Sequence, residues 1–147
     1  MTAATSFCTF WLDGQLFGIA VEAVREVVRD QPVTPVPRAP AAVRGLVNLR
    51  GRIVAAVDLR RCLDPGAPDG RGDRRAGSLV VLKSSLGEVS LVVDEVRDVC
   101  VTTPETFEGP PSTLRGPGRD LILGTHKLED RLLLVLDVPR TIEAAGA

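Results

Sequence analysis

The sequence predicts an all-β protein with short helices, and three observations carry that prediction. Valine and leucine dominate the apolar content, with four Phe, one Trp and no Tyr, and β-branched residues suit a pleated, half-buried surface. About ten short apolar or alternating runs are separated by Gly, Pro and Asp at near-regular spacing, the pattern of small barrels or a sandwich. Two blocks of the chain also repeat each other in order. At 147 residues, 44% hydrophobic and 25% charged, the chain suits one domain, or two small subdomains sharing a core.

Phe7–Leu12 and Leu16–Ala20 flank Asp13-Gly14-Gln15, a hairpin signal. Val21–Asp30 has apolar residues at helical spacing but is rich in valine, which predicts a turn followed by a strand. Pro32, Pro35, Pro37 and Pro40 exclude ladder pairing and mark an extended crossing segment. Gly45–Leu49 and Arg52–Val57 form a second hairpin bent at Arg50-Gly51, after which Asp58 can cap a helix running to Leu63. Pro65–Gly77 reads as a mobile surface loop. Leu79–Lys83 and Val89–Val93 are strands around Ser84–Gly87, and Val96–Thr102 is another. After the proline-glycine stretch Thr103–Asp120, Leu121–His126 and Arg131–Leu136 make the last hairpin, and Asp137 can cap a terminal helical turn.

The duplication lies in the spacing. Val21-Glu-Ala-Val-Arg-Glu-Val27 matches Val93-Asp-Glu-Val-Arg-Asp-Val99, and Gly45, Leu49, Arg52 and Asp58 match Gly124, Leu128, Arg131 and Asp137 at identical intervals. This points to two similar sub-barrels, and each serves as a control for the other. What both keep, the glycine and the aspartate, is structural: tight backbone geometry in one case, a strand end and helix cap in the other. The first half carries Glu26 and Arg50 where the second carries Asp98 and Glu129, which cannot form an ion pair. The fold therefore does not require this pair. An exposed ion pair stabilises little, so the pair calls for a functional explanation: Glu26 holding the planar Arg50 guanidinium at the rim of an apolar groove that receives a partner.

Other function classes find little support. A net charge of −1 leaves no broad electrostatic footprint for nucleic acid. The cations are sixteen Arg and two Lys, which fits a GC-rich coding genome as well as any binding role. Cys8, Cys62 and Cys100 are far apart with no metal-ligand spacing, as expected of small buried hydrophobes in a reducing compartment. No apolar run is long enough to span a bilayer and no charged n-region precedes an apolar one, so a cytoplasmic protein without direct membrane insertion is expected. His126, the single histidine, is expected to be a surface strand residue. Ser84-Ser85 lacks the glycine of a nucleophile elbow, the turn glycines form no phosphate cradle, and Asp58, Asp94 and Asp137 end apolar strands. No catalytic residue, metal or cofactor is expected.

The residues Phe17-Gly-Ile-Ala-Val21 with Val24-Arg-Glu26, Val36-Pro37, Pro40, Arg44-Gly-Leu-Val-Asn-Leu-Arg-Gly-Arg-Ile53, Val57-Asp-Leu-Arg60, Leu91-Val-Val-Asp-Glu-Val96 and Leu132–Asp137 resemble the CheW-domain family of bacterial chemotaxis adaptors. The resemblance runs from about Phe7 to Ile142, and its most specific block is Asn48-Leu-Arg-Gly51. It implies a single domain over 7–142 built as two intertwined five-stranded SH3-like β-barrels. The first would be mainly 16–84 plus the C-terminal segment, the second mainly 88–137 plus the strand 7–12. It also implies an adaptor whose inter-barrel groove takes a chemoreceptor's cytoplasmic tip, and whose barrel faces bind the regulatory domain of a CheA-type histidine kinase. By position the groove comprises Val24, Glu26, Gly45, Asn48, Arg50, Leu79 and Val99. The segment Glu105–Pro111, with Glu105, Phe107 and Glu108, supplies candidates for kinase contact. The family's acid–arginine pair falls on Glu26 and Arg50, the pair the internal control selects.

Two departures stand out. Ala55-Ala56 replaces a bulkier residue and proline, and the 65–77 loop is unusually rich in Gly, Pro and Arg. Two other functions are compatible with the sequence. One is an adaptor or antagonist in a non-flagellar pathway that binds receptor without fully engaging kinase. The other is a small-molecule-binding barrel, against which the lack of convergent polar groups argues.

Overall fold

The computed structural model describes residues 4–68, 75–112 and 116–146. Among these residues, alternating and continuous apolar runs become eleven strands in two curled sheets: β1 (Thr5–Leu12), β2 (Gln15–Ala20), β3 (Val24–Pro32), β4 (Val43–Leu49), β5 (Arg52–Asp58), β6 (Arg75–Leu82), β7 (Val89–Val93), β8 (Glu95–Thr102), β9 (Phe107–Glu108), β10 (Ile122–Lys127) and β11 (Leu132–Leu136). Among the described residues there are two α-helices, α1 (Leu59–Leu63) and α2 (Val138–Ala145). One sheet runs β3-β6-β7-β5-β4 and the other β8-β1-β2-β11-β10-β9.

The two orders show how the repeat is built. β3, β4, β5, β6 and β7 correspond to β8, β10, β11, β1 and β2, and each sheet has its one parallel pair at the same place, β5 with β7 and β11 with β2. The second unit thus takes its two central strands from the N-terminal end of the chain. Details repeat as well. Ladder irregularities fall just before Gly45 and Gly124, and Asp58 N–H donates to Ala42 O as Asp137 N–H does to Leu121 O, both at 2.7 Å. β9, whose Glu108 pairs with Thr125, is the counterpart of the lone bridge between Thr34 and Leu46. A Cβ on Gly45 would collide with the backbone oxygen of Thr34, and one on Gly124 with that of Glu108. Glycine is required at both positions because another backbone crosses there.

The division of strands differs from the sequence expectation at two of them. Residues 16–20 belong to β2, which sits between β1 and β11 in the second barrel, and Val89–Val93 is β7, central in the first. Strand pairing follows the swapped connection rather than proximity along the chain. The chain passes between sheets through the 3-10 turn Val21–Ala23 and through the single residue Asp94. There the Asp94 carboxylate accepts from Asp13 N–H at 2.9 Å and from Arg60 at 3.1 Å, while Arg60 also pairs with Asp13 at 3.0 Å.

Apolar side chains form three cores. The largest lies between the sheets and joins Phe10, Leu12, Phe17 and Ile19 to Val80, Leu82 and Leu91, with Leu59 and Cys62 from α1 and Val138 from α2. Phe10 and Phe17 stack within it, their rings 5.9 Å apart. A second core fills the first barrel around Val47, Val54, Leu79 and Val81, and a third fills the second around Phe7, Leu16, Leu133 and Val135. The helices differ from expectation. The Asp58 carboxylate makes no cap bond to α1, because it turns to Arg44 (3.3 Å) in a largely buried ion pair. Asp137 does cap α2, accepting from Arg140 N–H at 3.1 Å, and that helix runs eight residues rather than one turn. Of the loop expected at 65–77, residues 69–74 lie outside the described residues.

Candidate functional site

Leu49 and Arg52 pair at the end of the β4–β5 ladder, leaving Arg50 and Gly51 as a two-residue bend. Both have positive φ, +53° and +89°, the type I′ geometry that matches strand twist. Gly51 adopts this freely, whereas a residue with a Cβ pays roughly 1–2 kcal/mol for it. Arg50 is thus presented from a backbone conformation that its own side chain disfavours. Its Nη2 sits between both carboxylate oxygens of Glu26, donating at 2.6 Å and 2.5 Å. Glu26 lies on β3 opposite Val81, so the pair crosses the barrel's seam from the outer strand to the hairpin tip. The Arg50 side chain is 73% exposed and that of Glu26 24%. The hydrogen bond from Arg50 lowers the Glu26 pKa below its ordinary value and Glu26 raises that of Arg50, so both stay charged throughout the neutral range. Asn48 Oδ1 accepts from Gly51 N–H at 2.9 Å, within the same bend.

The equivalent seam of the second barrel is built otherwise. Leu128 N–H donates to Arg131 O at 2.8 Å across a turn holding Glu129 and Asp130, neither of which has positive φ. Arg131 pairs with the adjacent Asp130 at 2.7 Å and lies 5.3 Å over the Trp11 ring. A hollow of about 420 Å³ opens between β8 and this turn, lined by Trp11, Leu16, Val99, Val101, Leu128 and Arg131 among others.

The residues that the resemblance assigns to one groove separate into exposed and buried groups. Glu26, Asn48 and Arg50 come together at the first seam, and Val99, 60% exposed, stands at the second. Leu79 is fully buried inside the first barrel, and Gly45 is buried beneath the crossing backbone. These two therefore offer no side chain to a groove: Leu79 lies on an inner strand, β6, and position 45 requires that no side chain be there. Val24 is half-buried against the shared core. Glu105 lies in a 3-10 turn, and Phe107 and Glu108 form the edge strand β9, with Phe107 44% exposed and Glu108 paired to Lys127 at 2.9 Å.

His126 corrects a further expectation. Only 5% exposed, it takes the barrel-interior position that Val47 holds in the first half. Its Nδ1 lies 2.7 Å from Thr106 Oγ1 and its Nε2 3.3 Å from Thr102 Oγ1, and it packs near Phe7 and Phe107. Burial lowers its pKa below 6.5. The repeat contained the signal for this, since position 47 aligns with 126. Cys8 and Cys62 are buried and Cys100 is half-buried. Burial, and secondarily Asp58, pushes the Cys62 thiol up to about 12, which leaves it unreactive. Among the described residues no group of three or more His, Cys, Asp or Glu is placed to hold a metal ion, and no helix is long and apolar enough to cross a membrane.

Fold and site together define a double-barrel β protein whose two barrels exchange a hairpin and whose first barrel displays a carboxylate-braced arginine. The CheW-like domain model matches residues 6–146, so the chain belongs to the CheW-like domain family. It is 32% identical over 131 residues to the chemotaxis protein CheW of Treponema pallidum, covering 88% of this chain and 77% of that one. It is 27% identical over 135 residues to CheW of Thermotoga maritima, covering 92% and 85%. The solved structure of the scaffolding protein TtCheW from Thermoanaerobacter tengcongensis matches with a TM-score of 0.73 at 25% identity, covering 91% of this chain and 89% of that one.

Proposed function

We propose that this protein is a non-enzymatic adaptor that couples chemoreceptors to a CheA-type histidine kinase in a cytoplasmic signalling array. The observation that carries the reading is the Glu26–Arg50 pair: charged, with its arginine exposed, built on a strained bend, and made in only one of the two barrels. The receptor's helical tip would meet the first seam at Arg50 and Glu26 and the apolar surface of β8 at Val99, with Val24, Gly45 and Leu79 shaping the support beneath. A fixed, planar cation beside apolar surface suits helix recognition, fixing orientation while the valines supply contact area. Glu105, Phe107 and Glu108, on the opposite edge of the second sheet from β8, are candidates for the kinase face. Holding both partners in one lattice would let a shift at the receptor bias the kinase's conformational equilibrium.

The test is a pair of binding measurements with the whole chain, one against a receptor cytoplasmic tip and one against a kinase regulatory domain. A coupler binds both. Binding to receptor alone would instead favour an antagonist, and binding to neither would sink the adaptor reading.

A further inference from the structure

Asn48 stands in the groove by position, but its geometry gives it a different task. In a two-residue type I′ bend the N–H of the second central residue has no partner within the ladder. Here that N–H belongs to Gly51, and Asn48 Oδ1 accepts from it at 2.9 Å. The side-chain carbonyl therefore fastens the left-handed pair Arg50-Gly51 (φ +53° and +89°) from one residue before the ladder ends. At another left-handed bend, Asp13-Gly14, a distant carboxylate does the fastening, with Asp94 Oδ2 accepting from Asp13 N–H at 2.9 Å. In the second barrel Lys127 occupies the place of Asn48. A lysine has no acceptor to offer, the bend at Glu129-Asp130 has no left-handed residue, and among the described residues no ion pair crosses to Asp98. Acceptor, left-handed arginine and cross-seam pair are present together in one half and absent together in the other.

We propose that Asn48 is a positioning residue for Arg50: its carbonyl oxygen holds the bend that aims the guanidinium at Glu26, and it acts on the receptor through that arginine rather than by contact. This rests on the adaptor reading above for its consequence in binding, but not for its consequence in the free protein. Asn48 is an exposed strand-end residue, so Asn48→Ala leaves the barrels folded, and Asn48→Asp keeps an acceptor in place.

Two measurements decide the matter. The first is the titration of the Glu26 side-chain carboxyl by carbon NMR in the free chain. Its midpoint, held down by Arg50, rises in Asn48→Ala and stays low in Asn48→Asp; an unchanged midpoint in Asn48→Ala overturns the proposal. The second is affinity for a receptor cytoplasmic tip, which falls about tenfold in Asn48→Ala. In an Arg50→Ala background the same change costs less than about twofold, since the residue through which it acts is gone. An undiminished loss in that background marks Asn48 as a direct contact and overturns the proposal. A raised midpoint with unchanged receptor affinity upholds the positioning role and removes the receptor reading of the seam instead.

Discussion

In the first barrel the strand that begins at Val24 is tied to the β4–β5 tip by Arg50 and Glu26; in the second, the matching strand carries Asp98, the matching tip carries Glu129, and a hollow stands between them. Strand order, the placing of the parallel pair, the crowded glycine and the backbone bond of the terminal aspartate are common to both. What is common therefore makes the barrel, and what differs has been added to it. A surface ion pair on a disfavoured backbone adds little to stability, which accords with the proposed role of the first seam in meeting another molecule.

Four sets of substitutions test the difference between the two barrels. Arg50→Glu places two carboxylates together at the first seam and should lower receptor-tip affinity at least about tenfold by calorimetry, with little change in melting temperature. Glu129→Arg should do neither, and a loss of stability with unchanged binding in Arg50→Glu would undo the functional reading. Gly45→Ala and Gly124→Ala should each destabilise the fold by about 2 kcal/mol or more in urea unfolding, because each Cβ meets crossing backbone. Markedly unequal losses would show that the two crossings are not equivalent.

His126→Val gives the second barrel the side chain of the first. The buried imidazole favours its neutral form in the folded state, so the unfolded chain binds more protons as pH falls below about 6.5. The histidine's contribution is complete above that pH and is lost as pH drops through its lower folded value. Wild type should lose stability in this window, and His126→Val should lose less of it, followed by thermal melts from pH 8 to 5. The mildest change is the graft Lys127→Asn, Glu129→Arg, Asp130→Gly. It should create a left-handed bend and a pair with Asp98, seen as a slowly exchanging guanidinium resonance, while stability shifts by no more than about 0.5 kcal/mol.

Much of this was legible in the chain before its structure. The strand runs, the bends at Gly14 and Gly51 and the two-fold repeat all follow from spacing, and so did the singling out of Glu26 and Arg50. Strand partners were not legible for β2 and β7, because local pattern says that a segment is a strand without saying which sheet receives it. Leu79 and Gly45 were misplaced for a related reason: alignment locates a residue along a strand but not its depth. Asp58 could equally have capped α1, and only the nearness of Arg44 decides otherwise. His126 lay within reach, since its partner in the repeat is a core valine.

The exchanged hairpin also orders events during synthesis. Residues 5–20 precede the first barrel along the chain, yet their sheet neighbours β8 and β11 are made only after that whole barrel. Until then an apolar ribbon carrying Phe7, Phe10, Phe17 and Ile19 has no permanent home, and closing so long a loop is slow. In the finished fold Phe10, Phe17 and Ile19 share one core with Val80, Leu82 and Leu91 of the first barrel, so that barrel supplies an apolar surface before the ribbon's own sheet partners exist.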